Sequence, residues 1–234
     1  MIKACARIVL LCLVPAAAPA LAAERPIVVE LFTSEGCSSC PPADALLAGL
    51  AARPDVLALS FHVDYWDRLG WKDPFSSRRA TERQQRYAEI LGLGTVYTPQ
   101  IVVDGRWQAV GSDRGEVERA LDAARRMPVT VPVRLALDRG RATITLGPGD
   151  GTAAAVLLIG FDRRHVDAVA GGENAGRALT HVDVVRGIAE IGHFTGAAST
   201  IVAAVGWHAE RLAAILQAAD GRILGAAIAD AEPF

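Results

Sequence analysis

The chain has 234 residues and is close to charge balance, with 24 lysines and arginines against 26 aspartates and glutamates. That balance leaves no cationic face for a polyanion, so nucleic acid and an anionic membrane surface are excluded as expected partners. Apolar residues make up 51% of the sequence, enough to bury one large core or two modest ones.

Residues 1–23 read as a secretory signal peptide rather than as part of the fold. Lys3 and Arg7 give a short basic start, and "IVLLCLVPAAAPA" is an apolar run too short to span a bilayer. "ALA" (Ala20, Leu21, Ala22) then offers small residues for cleavage. Cys12 follows Leu11, a large residue where a lipid-attachment site requires a small one. Loss of the leader leaves 22 basic and 26 acidic residues, and only Cys37 and Cys40 of the four cysteines. No later apolar run reaches spanning length. The expected product is periplasmic or secreted, without membrane insertion.

"IVVELFT" is short, rich in β-branched residues and continuous, the pattern of a buried strand. "ADALLAGLAARP" spaces Leu46, Leu47 and Leu50 as a helix and stops at Pro54. "VLALSFHV" is a second strand, and strand, helix and strand in that order imply a right-handed parallel unit. After the irregular aromatic stretch "DYWDRLGWKDPF" a polar helix is expected from Pro74 to Leu91. "PQIVVDG" and "RWQAVG" form a hairpin about Asp104–Gly105. "SDRGEVERALDAARR" is a helix with Val117, Ala120, Leu121 and Ala124 on one face.

From Met127 the texture changes. "VTVPVRLAL" and "RATITL" make a second hairpin, and "AAAVLLIGFD", "HVDAVA", "ALTHVDVVRGIAEIG", "STIVAAV" and "RILGAAIAD" are short runs broken by glycine or aspartate. "RLAAILQAA" fits a strand or a short helix. The expected organisation is an α/β domain over 24–127, then a β-rich, antiparallel sandwich-like domain over 128–234.

Function turns on "EGCSSCPPAD". A disulfide across so short a loop constrains the unfolded chain very little, which argues against a structural staple. A metal site needs more ligands. His62, ending the neighbouring strand, would suit copper beside two thiolates, but no second CxxC or close histidine pair completes a zinc site. His165, His181, His193 and His208 show no ligand spacing. Thiol exchange fits best, because a helix N-terminus stabilises the thiolate that the chemistry requires. Gly36 and the two serines add little bulk, so Cys37 is expected to lie open. Pro41 and Pro42 disfavour helical geometry at Cys40 and Pro41, and with Cys37 a turn ahead of the helix the stabilisation is weaker.

A strand, a CxxC at the head of a helix, a second parallel strand and a hairpin opened by Thr98-Pro99 together resemble the thioredoxin fold. The resemblance covers residues 26 to 126. It implies that Cys37 attacks, that Cys40 resolves the mixed disulfide, and that Pro99 is a cis-proline lying against the pair. "FTSEGCSSCPPAD", "HVDYWDRLGWKDPFS", "VYTPQIVVDG" and "GGENAGRALTHVDVVR" also resemble a proteobacterial family of secreted, thioredoxin-like proteins of unassigned function. The implied activity is thiol–disulfide exchange on protein or small-thiol substrates, with no cofactor beyond the redox-active disulfide. Protein thiols or disulfides and a membrane redox partner are the expected partners. The alternative is a periplasmic binding or interaction protein whose CxxC is a copper ligand pair or a static disulfide.

Other residues bear on that chemistry. Glu30, inside "IVVELFT", is a buried acid suited to hand a proton to the resolving thiol. Relatives of the fold carry an acid six residues before the first cysteine, where Leu31 stands here; one position earlier, Glu30 points to the other face unless the strand bulges. Its other reading is an edge or surface glutamate paired with an arginine. Glu35, in the approach loop, is expected to be more exposed. Tyr65, Trp66 and Trp71, with Thr98, form either a substrate groove or a plug over the core. Arg78, Arg79, Arg83 and Arg86 read as a solvated face. "GGENAGRALTH" is a polar loop that either leans over the cysteines or is held by its own hydrogen bonds.

Overall fold

The computed structural model describes residues 25–128 and 130–231. The leader expected over 1–23 lies outside the described residues.

Continuous apolar strands require cover on both faces, and two strands here have it. Strands β1 (Ile27–Thr33) and, after helix α1 (Pro41–Ala51), β2 (Val56–His62) pair in parallel and are buried at every position. Alternation splits β1 between two layers. Val29 and Leu31 pack with Leu46, Leu47 and Leu50 of α1, whereas Val28 and Phe32 face the opposite side. On that side lies α2 (Arg78–Ile90), which begins at the Ser77 cap, four residues later than the sequence suggests. Its Tyr87 packs with Phe32.

Strands β3 (Gln100–Val103) and β4 (Trp107–Val110) form the expected hairpin, with β3 antiparallel to β1. The turn needs two left-handed residues, and Asp104 (φ 48°) and Gly105 (φ 66°) supply them. The Thr98–Pro99 peptide bond ahead of β3 is cis. Helix α3 (Arg114–Arg125) is capped by Asp113 and buries Val117, Ala120, Leu121 and Ala124 on the α1 side.

Strands β5 (Val133–Asp138) and β6 (Arg141–Leu146) form a hairpin. The runs after it are longer than their broken texture implies: β7 (Ala154–Ala168) has 15 residues and β8 (Ala178–Phe194) has 17. The glycines that seemed to break them sit inside the strands, and the register shifts at two points between them. Strand β9 (Ser199–Ala204) pairs with β6, and β10 (Arg211–Ala218) and β11 (Ile223–Asp230) extend from β7.

"RLAAILQAA" is a strand. Ala213 and Ile215 enter one core while Leu212, Ala214 and Leu216 enter another, a two-residue alternation that burial on both faces hid from the pattern. The whole is a mixed α/β fold, mostly strand. An eight-stranded mixed sheet runs β11-β10-β7-β8-β2-β1-β3-β4, and a three-stranded antiparallel sheet runs β5-β6-β9. The large sheet is continuous across the chain because Ser60 of β2 meets Val184 of β8 in parallel.

Candidate functional site

Cys37 and Cys40 form a disulfide, with an S–S distance of 2.07 Å, in the turn between β1 and α1. The helix begins at Pro41, and Cys40 caps it with helical dihedrals despite the proline that follows. Proline suits these first positions because their N–H groups have no partner within the helix. The same chemistry empties the helix terminus of donors. Pro41 and Pro42 carry none, and the N–H groups of Ala43 and Asp44 already donate to the Cys40 carbonyl at 2.8 and 3.1 Å.

Hydroxyls serve Cys37 instead. Thr98 Oγ1 donates to Cys37 Sγ at 3.3 Å, and Ser39 Oγ lies 3.4 Å from the same sulfur. Trp66 Nε1 donates to Thr98 Oγ1 at 2.8 Å, which holds the hydroxyl in place. Pro99 is buried beside them, and its carbonyl accepts from the Gly111 N–H at 2.9 Å. A Cβ at Gly111 would stand 3.0 to 3.2 Å from Ala43, Leu31 and Pro99, so the chain passes tightly between α1 and the proline.

The loop between β7 and β8 closes over this turn. Asn174 is fully buried, and its Nδ2 donates to the carbonyls of Glu35 and Cys37, both at 2.9 Å. Arg177 donates to Asn174 Oδ1 at 2.7 Å, and Glu173 Oε2 accepts from the Ser38 N–H at 3.0 Å. Ser38, through its side chain first and its backbone N–H second, holds the Glu173 carboxyl below its ordinary value. A Cβ at Gly171 would come within 2.6 Å of the Gly70 carbonyl oxygen, so the loop lies directly on the aromatic stretch. "GGENAGRALTH" therefore does lean over the cysteines. Both cysteines are 0% exposed, although Ser38 and Ser39 are exposed. The open Cys37 expected from its small neighbours is not found, because small neighbours in sequence do not keep Thr98 and a distant loop away.

Beneath the turn lies a second set of polar side chains. Glu35 is fully buried rather than exposed; its Oε2 accepts from Trp71 Nε1 at 2.7 Å. Asp73 Oδ2 accepts the Glu35 N–H at 2.9 Å and lies 2.6 Å from His62 Nδ1. Burial alone would lower the His62 imidazole, but the Asp73 carboxylate outweighs it and holds it above its ordinary value. Burial likewise pushes Asp73 up, and His62 with two backbone N–H groups brings it below the ordinary carboxylate range. Asp44, buried on α1, is pushed up by burial against the pull of His181 and His62. Among the described residues, no group of three or more His, Cys, Asp or Glu side chains is arranged to hold a metal ion.

One expected site residue lies elsewhere. Glu30 is buried on the opposite face of the sheet from α1, where it accepts from Arg83 Nε and from the Tyr87 hydroxyl. Arg83 is itself buried, so it leaves the solvated arginine face to Arg78, Arg79 and Arg86. Tyr65 stays at the edge of the site, where it donates to Gln84 of α2 at 3.2 Å with the Thr98 side chain also against its hydroxyl. The site thus gathers Cys37, Cys40, Thr98, Pro99, Trp66 and Trp71, and adds Glu35, Asp44, Asp73, Asn174 and His181. Single buried polar residues far apart in the sequence carry no local signature, which is why Asp44, Asp73 and His181 escaped the sequence pattern, whereas Glu35 was expected there in an exposed position and Asn174 lies in the loop expected over the cysteines.

The family described as "protein of unknown function (DUF1223)" matches residues 28–217. The chain belongs to this family. Its matched span includes the cysteine turn, the Thr98–Pro99 bond and the Asn174 loop. The family member is similar to a crystallised protein of Agrobacterium tumefaciens, with 35% identity and a TM-score of 0.76. That match covers 86% of this chain and 92% of the other. HBP35 of Porphyromonas gingivalis is similar in fold alone, at 16% identity and a TM-score of 0.64, covering 88% of this chain and 75% of that one. No curated protein matches the chain.

Proposed function

We propose that this family member is an exported thiol–disulfide oxidoreductase with a thioredoxin-like module in its first half. The observation that carries the reading is the Thr98 hydroxyl on Cys37 Sγ, delivered by the residue that opens the cis Thr98–Pro99 bond. A disulfide at a helix head, served by a hydroxyl from a separate hairpin, has a built-in donor for the thiolate that forms when the bond opens. In the reducing direction, the Cys37 thiolate attacks a substrate disulfide and one substrate sulfur leaves with its electron pair. Cys40 then attacks Cys37 Sγ, the second substrate sulfur leaves, and the pair ends oxidised while the substrate gains two electrons. Protein or small-molecule thiols and disulfides are the proposed substrates, and a membrane redox partner would set the direction. With a helix terminus emptied of donors, Cys37 should be less acidic, and the pair less oxidising, than the strongest oxidants of this chemistry.

The test is the reduction potential of purified protein equilibrated in glutathione and dithiothreitol buffers. A value of about −120 to −230 mV, with exchange activity lost in Cys37→Ser, supports a working redox pair. The full burial of both sulfurs favours one other reading, a static disulfide in a binding or scaffold protein. A potential below about −300 mV, or thiols that never equilibrate, would select that one.

A further inference from the structure

Resolution by Cys40 poses a problem that its surroundings answer. Cys40 is fully buried, so its thiol proton has no direct route to bulk water when it attacks. The groups that can take a proton are the titratable side chains buried around the same turn. Asp44 lies one turn along α1, its N–H on the Cys40 carbonyl, and residues so spaced share a helix face. Asp44 Oδ1 is buried and has no hydrogen-bond partner.

Histidines from both halves of the chain stand beside it. His62 ends β2 and His181 lies on β8, with ring centroids 4.7 Å apart. His181 Nε2 is 3.3 Å from Glu35 Oε1 but outside hydrogen-bond alignment, and neither ring nitrogen of His181 has a hydrogen-bond partner. His62 Nε2 is also unpartnered. Such atoms cost free energy when buried, so a set of them at one place is not explained by packing alone. It is what a site that must gain and lose protons looks like.

We propose that Asp44, with His181 and His62 as its positioning residues, is the proton store of the cysteine pair, so that β8 supplies part of the redox site. The proposal rests on the exchange chemistry of the preceding section. As Cys40 attacks Cys37 Sγ, its S–H proton passes to the Asp44 carboxylate, its electron pair forms the disulfide, and the substrate sulfur leaves with the electrons of its own bond. In the reverse direction Cys40 leaves as a thiolate and takes the proton back. Asp44 is held ready by opposed forces, burial favouring its neutral form and the two imidazoles its charged form.

The charges around His181 are Glu35 and Asp73 from the loops, Asp44 from α1 and His62 from β2, with His165 opposite it on β7. His165 is engaged by Asp162 at 3.0 Å, and Arg186 of β8 by the Phe75 ring. The exchangeable proton is therefore confined to the inner set.

Reduced protein mixed with dithionitrobenzoate forms a mixed disulfide at Cys37, and release of the second thionitrobenzoate times the attack of Cys40. In Asp44→Asn this step should slow about 100-fold at pH 7. It should then recover about tenfold per pH unit toward the ordinary thiol value of about 8.5. His181→Gln should keep resolution but move the pH at which it falls off. Folded variants that resolve at the wild-type rate with the wild-type pH profile would overturn the proposal. Should the variants not fold, titration of the histidine ring protons by NMR in oxidised and reduced wild type decides it. A His62 midpoint that differs between redox states supports the store, and an identical midpoint rejects it. Wild type that never releases the second thionitrobenzoate would instead remove the redox reading, and this proposal with it.

Discussion

Two buried polar networks lie on opposite faces of β1, and they are finished to different degrees. Around Glu30 the chemistry is closed: both carboxylate oxygens have donors, Arg83 Nη1 donates to Gln217 Oε1 at 3.2 Å, and the Tyr87 hydroxyl accepts from Gln217 Nε2 at 2.9 Å. Under the cysteines, Glu35, Asp44, His62 and His181 each keep a polar atom without a hydrogen-bond partner. Both networks join the two halves of the sequence, one through Gln217 and the other through His181 and Asn174. A closed network rigidifies what it joins, and an open one can change its charge. We read the first as a structural clasp and the second as a working part.

The largest effect that would sharpen this contrast is on stability alone. Arg83→Met leaves the Glu30 carboxylate buried without its counter-charge and should cost about 3–5 kcal/mol in urea unfolding, with the cysteine potential unchanged. A shifted potential in that variant would mean that the two networks are not separate.

Asn174→Ala acts on the other side. It strips donors from the carbonyls of Glu35 and Cys37, and should cost about 1–3 kcal/mol while speeding reduction of the disulfide by dithiothreitol. A stability loss without faster reduction would make the loop a brace and not a cover.

The smallest effect is in the pH dependence of stability. His62 is raised above its ordinary 6.5, so its contribution is complete below that pH and is lost as pH climbs through the folded value. Asp73 is lowered from 3.8, so its contribution is complete above that pH and is lost as pH falls through the folded value. His62 and Asp73 together favour the range between those two ordinary values, and Asp44, raised by burial, loses its contribution as pH climbs above its ordinary 3.8 through its folded value, which draws the optimum toward the acidic end of that range. Urea midpoints across pH 3 to 9 should trace this dome, and Asp73→Asn should flatten it. A midpoint that stays level through neutral pH in wild type would contradict the buried His62–Asp73 pair.

Much of the frame was legible in local patterns. The continuous run of "IVVELFT", the leucine spacing of α1 and the Asp104–Gly105 turn each follow from backbone and packing rules that act within a few residues. "RLAAILQAA" resisted because a strand buried on both faces shows no polar alternation. Glu30 shows the limit from the other side: its strand position predicts the face it occupies, while its partner Arg83 lies 53 residues away on a helix that looked wholly solvated.

The amino-acid sequence by itself determined the elements of the first half, the CxxC turn, the Thr98–Pro99 approach and the two prolines that deny the helix terminus its donors. Those features are local, because dihedral preferences and missing N–H groups are properties of the residues themselves. Only the tertiary structure decided that β8 joins β2, that Asn174 covers the disulfide, and that His181 of β8 and Asp44 of α1 come close enough to feel each other's charge. Those depend on long-range pairing of apolar strands, which brings together polar groups that nothing in the intervening sequence connects.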